Sequence, residues 1–528
     1  MAEPPVLSLC LIARDSARTL SACLESIRSW VDEMVVVDTG SHDDTPAIAR
    51  RFGARVFEFA WCDDFAAARN ESLRHARGQW LFWMDSDDTI DEHNGRRLRE
   101  IAHGRHSPNV LGYVMQVHCP GTDAHGQVDC TVVDHVKLVR NLPALKFDGR
   151  IHEQVLPAIR QLGGEVAWTD VHVVHSGADQ SLAGRKRKHE RDLRILHQEL
   201  KERPEHPFTL FNLGMTYADM EEYERAAEYL RRSIAVAGEG ESHLRKAYAL
   251  LANCYAQQKQ FDGAGQTIAA GRKRFPQDAE LLFRSGILAH QAGRLQEAEH
   301  AYLELLGQRA ERYFSSVDRG IVGFKARHNL AAVYQDQGRA DLAELQWRCA
   351  VREMPKYRLG WRGLLESLLR LRRLQTAAIE IEHMLRDVDL RSTALLARAQ
   401  LSEIRGQGDA AKRDIAAAVA DYPDEIEPLE AFCRFHFEHG EPYEAKLALR
   451  ELSARLPNDG SVLHNLGTVN VRLGQYSAAV DAYRASLRVR PESESTSREL
   501  ASALALAEQS PEPRPAFKAP ARVPQAVG

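Results

Sequence analysis

A spacing of 34 residues, kept through the second half of the 528-residue chain, constrains its fold more than any other feature. With Gly214 as the reference of a first unit, the equivalent small or apolar positions are Ala252, Gly286, Ala331, Leu365, Ala399, Cys433 and Gly467, the last five each 34 apart. Twelve residues after every reference stands an alanine: Ala226, Ala264, Ala298, Ala343, Ala377, Ala411, Ala445 and Ala479. Twenty-four residues after it, five units place a proline: Pro276, Pro355, Pro423, Pro457 and Pro491. Two helices fill such a period, and the proline closes the second because it lacks a backbone donor. A unit of this kind buries its apolar face only against its neighbours. About eight units therefore predict an all-α superhelix over residues 208–507, with a concave binding face. The insertion "ERYFSSVDRGIVGF" lengthens the interval between Gly286 and Ala331 to 45 residues. Read without a ligand, the same array is a scaffold or a surface for a homodimer.

The first 178 residues follow a different rhythm. "VLSLCLI", "MVVVD", "RVFEF" and "WLFWM" are short, strand-like runs separated by helix-like segments. Four alternations imply an α/β domain with a parallel sheet covered by helices on both faces. In such sheets ligands gather outside the carboxyl ends of the strands. Polar clusters follow three of those ends: Ala13-Arg14-Asp15, Asp38-Thr39-Gly40-Ser41 and Asp85-Ser86-Asp87. Residues 179–207 are expected to form a helical linker, and the proline-rich residues 508–528 a disordered tail.

Composition removes several function classes. The chain has 69 basic and 74 acidic residues and a formal net charge of −5, so no global basic field favours nucleic acid. No apolar run approaches the roughly 20 residues of a membrane helix, so no integral membrane segment is expected. The start "MAEPPVLSLCLIARD" lacks the pattern of a secretory signal, which makes a cytoplasmic location the expectation. The eight cysteines form no Cys-x-x-Cys pair and read as reduced thiols.

The stretch "LFWMDSDDT" drives an apolar strand into Asp85, Asp87 and Asp88. Acids at a strand end either cap the following helix or hold a cation. A bare Asp-x-Asp decides nothing, since "RDVDL" carries Asp387 and Asp389 within the repeats. On an extended strand Asp85 and Asp87 would project to one side and could share a ligand, leaving Asp88 to cap the next segment.

Taken in order, "VVVDTGSHDDT", "FAAARN" and "LFWMDSDD" resemble family 2 glycosyltransferases with the GT-A fold, a Rossmann-like, mostly parallel sheet. The later "GRIHE" and the attached array resemble bacterial enzymes that join this domain to C-terminal repeats, some of which glycosylate peptides. The repeats themselves, with Leu213-Gly214-x-x-Tyr217 and Leu466-Gly467, resemble tetratricopeptide repeats. The resemblance implies an inverting transfer from a UDP-sugar, assisted by one divalent cation, Mg²⁺ or Mn²⁺, to a peptide or protein acceptor gripped by the repeats. It implies donor contacts from Ala13, Asp15, Asp38, Arg69, Asn70, Asp85 and Ser86. Asp87, Asp85 and His175, the last in a His-Ser-Gly triplet, would hold the metal, and Glu153 would be the general base. Asp148 and Asp134 are competing bases. His172, three residues from His175 on one strand, faces the other way. Relatives often carry Asn-Glu after the first strand where this chain has Asp15-Ser16, so the family glutamate is missing. A cell-envelope saccharide or lipid-linked acceptor, or a scaffold that has lost catalysis, are the alternative readings.

Overall fold

The computed structural model describes residues 4–122, 128–177, 181–308 and 317–509. Nearly all of the expected tail, and part of the insertion before Val317, lie outside them. Two compact units divide the chain at Gly360 and Trp361.

The first unit opens with the alternation read above: β1 (Leu7–Ala13), α1 (Leu20–Ile27), β2 (Glu33–Asp38), α2 (Thr45–Arg51), β3 (Arg55–Glu58), α3 (Phe65–His75) and β4 (Trp80–Asp85). These four strands pair in parallel in the order β3-β2-β1-β4. Then follow β5 (Asp88–Thr89), α4 (Glu92–His103), β6 (Val110–Thr122), β7 (Val128–Arg140), α5 (Leu156–Gln161) and β8 (Glu165–His175). The long β6–β7 hairpin joins β4 antiparallel, β8 runs parallel to β6, and β5 returns antiparallel on β8. The sheet as a whole is thus mixed, parallel in the half that the sequence pattern predicts.

Strand alternation sorts the apolar residues between two cores. Leu7, Leu9, Leu11, Phe82 and Met84 face one side with Leu20, Leu24 and Leu98. Cys10, Leu81 and Trp83 face the other with Ala66, Leu73 and Ile159. Covered on both faces, the sheet leaves its strand ends as the place for polar groups.

Helix α6 (Leu182–Glu202) leads into the repeats. Within the first unit, four helical hairpins follow, over 207–236, 244–274, 279–306 and 324–353; a fifth, over 358–384, starts at the division, and within the second unit three more span 391–421, 426–455 and 460–489 before a last helix, Glu494–Gln509. The spacing rules have a direct packing cause. Every one of the eight alanines is at most 1% exposed, wedged where two helices cross. A Cβ on Gly286 would come within 2.5 Å of the Tyr302 ring, and one on Gly467 equally close to Tyr483, so the reference position must be small there. The insertion ends in β9 (Val317–Asp318), which pairs with β7 at Val132 and Thr131. Among the described residues no helix is long and apolar enough to cross a membrane.

Candidate active site

Because β2, β1 and β4 are neighbours, the loops after their carboxyl ends meet. A belt of hydrogen bonds links them. Asp38 is buried and accepts from Ser41 Oγ at 2.5 Å and from the Gly40 and Ser41 amides at 3.3 and 3.2 Å. Ser41 Oγ in turn accepts from the Asp15 amide at 2.9 Å, and Asp15 Oδ1 accepts from the His42 amide at 2.7 Å. Asp15 adopts a left-handed φ of 47°, and Ser16 Oγ lies 2.9 Å from Ser86 Oγ in the acid turn. The Ala13 carbonyl takes the Thr39 amide at 2.9 Å. This arrangement spends much of Asp38's acceptor capacity on its own turn.

The acid turn departs from the extended-strand expectation. β4 ends at Asp85, so Asp87 lies in a turn and strand alternation does not place it. Asp88 caps no helix: Asp91 does that for α4, accepting from the Asn94 amide at 2.8 Å. Asp88 is instead fully buried, where its Oδ2 accepts from Lys137 Nζ at 2.7 Å and from the Asp85 amide at 3.0 Å. Its Oδ1 meets His175 Nδ1 at 2.9 Å, because the β5–β8 register sets Asp88 opposite His175. Asp87 Oδ1 is 3.4 Å from the same nitrogen, and the Asp87 carbonyl accepts from the Ser176 amide and hydroxyl. His172 points elsewhere, its ring stacked on His118 at 4.2 Å.

Arg69 ties this turn to the expected base. Asp64 caps α3 by accepting from the Ala67 amide at 2.8 Å, and the helix then carries Arg69 into the interior, 6% exposed. Its Nη2 donates to Asp85 at 2.6 Å and its Nε to Glu153. The guanidinium lies 4.2 Å from the centre of the Trp83 ring, and Lys137 Nζ lies 4.0 Å from it. Arg69 Nη1 is buried with no hydrogen-bond partner among the described residues, as is His152 Nε2 beside Glu153. Asn70 has another occupation: its amide donates to the Phe147 carbonyl at 2.9 Å and accepts from the Phe147 amide at 2.8 Å. Asp148 is held bidentately by Arg203 at 2.7 and 2.9 Å.

The electrostatics follow from this packing. Burial would raise the Asp85 carboxyl, but Arg69 brings it below the usual range. Burial likewise opposes ionisation of Asp88, and Lys137 with His175 more than reverses that. Asp87 lacks such a base, so burial pushes it up, offset only in part by His175. The hydrogen bond that His175 donates to Asp88 raises its pKa against its own burial. Four carboxylates (Asp85, Asp87, Asp88 and Glu153) therefore confront two permanent cations, Arg69 and Lys137. Ligand atoms of Asp85, Asp88 and His175 lie within 4.8 Å of one another. A hard divalent ion suits this oxygen-rich, net-negative donor set. The sequence reading missed Lys137 and the burial of Asp88. The only signal was a lysine inside the apolar run "VVDHVKLVR".

Comparison with known proteins agrees. Residues 8–114 match the family model for glycosyl transferase family 2, and 209–239, 255–312 and 436–525 match tetratricopeptide repeat models. A TPR repeat-containing protein of Synechococcus elongatus is 31% identical over 234 residues, 43% of this chain and 56% of that protein. The SPbeta prophage-derived glycosyltransferase SunS of Bacillus subtilis is 24% identical over 246 residues, 44% of this chain and 54% of that protein. The chain thus spans about half the length of these relatives. By these matches, borne on an α/β sheet with an acidic strand end, the chain carries a glycosyl transferase family 2 domain at its N-terminus, followed by tetratricopeptide repeats.

Proposed function

We propose that the chain is an inverting glycosyltransferase that moves a sugar from a UDP-sugar to a hydroxyl or thiol of a peptide or protein. The observation that carries this reading is the buried Arg69, which joins the acidic end of β4 to Glu153. Asp85, Asp87, Asp88 and His175 are the residues that would hold Mg²⁺ or Mn²⁺. Such an ion, when bound, supplies Lewis-acid neutralisation of the departing diphosphate. Arg69 keeps an N–H at Nη1 for a diphosphate oxygen. Glu153 receives the proton of the acceptor as its oxygen or sulfur bonds to the anomeric carbon. The bond from that carbon to the phosphate oxygen breaks at the same time, and its electron pair leaves with UDP. Attack on the face opposite the leaving group inverts the anomeric centre. The repeats, adjacent in the same chain, are the part suited to recruiting a polypeptide acceptor.

The test is UDP release by the full chain with Mn²⁺, UDP-glucose or UDP-GlcNAc and a panel of acceptor peptides. Asp87→Ala is expected to lower the rate at least about 10³-fold, and Glu153→Gln about 10²- to 10⁴-fold. Release by the parent chain no faster than by Asp87→Ala rejects the reading.

A further inference from the structure

The segment "FDGRIHEQV" that carries Glu153 is built as a tight loop. Asp148 and Gln154 exchange both backbone hydrogen bonds at 2.9 Å, and the turn between them needs left-handed φ at Gly149 (94°) and His152 (56°). A five-residue loop of this kind has little rigidity of its own.

Its rigidity comes from the helix that leads into the repeats. Arg203, which ends α6, grips Asp148 through two hydrogen bonds at 2.7 and 2.9 Å. Glu202 holds Arg150 through two more, at 2.7 and 2.9 Å. Glu199 is buried and accepts from the Arg150 amide at 3.4 Å. Between these contacts, Ile151 leaves the domain's own cores. It packs instead with Ile195 and Leu196 of α6 and with Phe211 and Leu213 of the first repeat helix. On the domain's own side the loop is met at the start of α3, the helix that carries Arg69: the Phe65 amide donates to the Arg150 carbonyl at 2.7 Å, and the Arg150 side chain donates to the Asp63 carbonyl at 3.4 Å and lies 3.9 Å from Asp64.

We infer that α6 is a working part of the active site, in which Glu199, Glu202 and Arg203 are positioning residues that fix Glu153 against Arg69. This rests on the reading of Glu153 as the base. It makes the repeats more than an acceptor tether. Any partner that shifts the first repeat relative to α6 also shifts the base.

The test uses the full chain with Arg203→Ala and with the exchanged pair Asp148→Arg/Arg203→Asp. Without substrate, amide hydrogen exchange at Asp148 and Gln154 is expected to quicken about tenfold in Arg203→Ala, while residues 207–219 keep their protection. With Mn²⁺ and UDP-glucose, kcat for UDP release is expected to fall about tenfold with KM for UDP-glucose unchanged, and the exchanged pair is expected to restore both readouts. Unchanged exchange at Asp148 and Gln154 overturns the inference. So does a loosened loop with unchanged kcat. A parent chain silent toward both UDP-glucose and UDP-GlcNAc with the acceptor panel strikes the glycosyl-transfer reading instead, and the exchange measurement still decides whether α6 holds the loop.

Discussion

The two halves of the molecule spend buried polarity in opposite ways. In the repeats each unit obeys one rule, a buried alanine at the same offset, and a buried acid such as Asp278 is met by a base, Arg245, at 2.6 Å. In the N-terminal domain, charge collects at the end of β4, where carboxylates outnumber permanent cations. Balanced pairs hold a fold together without demanding a ligand, whereas a partly buried excess of one sign is costly until something arrives to complete it. The difference sets the regular packing of the repeats apart from the candidate site at the end of β4.

The largest expected effect comes from unbalancing the site further. Lys137 is fully buried against Asp88, so Lys137→Met leaves that carboxylate with His175 as its remaining basic partner. Truncating one member of a buried pair costs about 3–5 kcal/mol. Denaturant unfolding of the full chain, followed by tryptophan fluorescence and far-ultraviolet dichroism, should show the domain's transition moving to lower denaturant while that of the second unit stays in place. A loss under about 1 kcal/mol would mean that Asp88 does not depend on Lys137. Replacing both residues, Lys137→Met with Asp88→Leu, should recover part of the loss, as removal of a whole buried pair often does.

A second test asks whether buried charge alone marks a site. Glu33 begins β2, at the opposite end of the strand from Asp38, and is buried among Ser8, Arg55 and Arg77. Burial would raise its pKa, but hydrogen bonds from Ser8, from the backbone and side chain of Arg77 and from Arg55 bring it down to about 2. A carboxyl depressed from 4.5 in this way stabilises the fold fully above about pH 4.5, and the stabilisation is lost as pH falls toward about 2. Glu33→Gln is expected to cost about 2 kcal/mol at pH 7 and almost nothing at pH 2. One acid faces two arginines here, so no cation is called for, and UDP release should be unchanged. Unfolding free energies from pH 7 to pH 2 for both proteins check the crossing point.

How much of this could be read from the sequence follows the same division. The eight alanines and the strand ends at Asp38 and Asp85 are local: each announces itself within its own unit or strand. The β6–β7 hairpin gave no pattern, because the irregularities at Tyr113/Val114 and Val114/Gln116 break the period of two, and Val114 and Met115 each bury their side chains on opposite faces of the sheet. Lys137 and Asp88 are 49 residues apart, and His175 reaches Asp88 only through the β5–β8 register. Neither link has a signature in spacing. The hold of α6 on the loop before Glu153 escaped for the same reason, since Arg203 and Asp148 are 55 residues apart.

The smallest effect tests the regularity of the repeats at a position that the 34-residue spacing did not reveal. Seven residues after each reference, the turn between the two helices enters the left-handed region. Five units place glycine there, Gly293, Gly338, Gly406, Gly440 and Gly474, at φ 70–76°, while Glu221, Lys259 and Arg372 adopt φ 57–60°. An L-residue with a side chain pays a conformational penalty in that region that glycine does not, on the order of 1 kcal/mol. Arg372 is exposed, so replacing it removes little packing. Arg372→Gly is expected to stabilise the second unit by about 0.5 kcal/mol, the relief being reduced by the extra freedom glycine gives the unfolded chain. In the reverse direction, a Cβ on Gly406 meets nothing within 4 Å, so Gly406→Ala isolates the backbone term and should cost about 1 kcal/mol. Thermal unfolding of the two variants should therefore bracket the parent, with Arg372→Gly above it and Gly406→Ala below. If both fall below, the exposed arginine contributes a contact that the regular turn geometry does not predict, and the array is less uniform than its alanines make it.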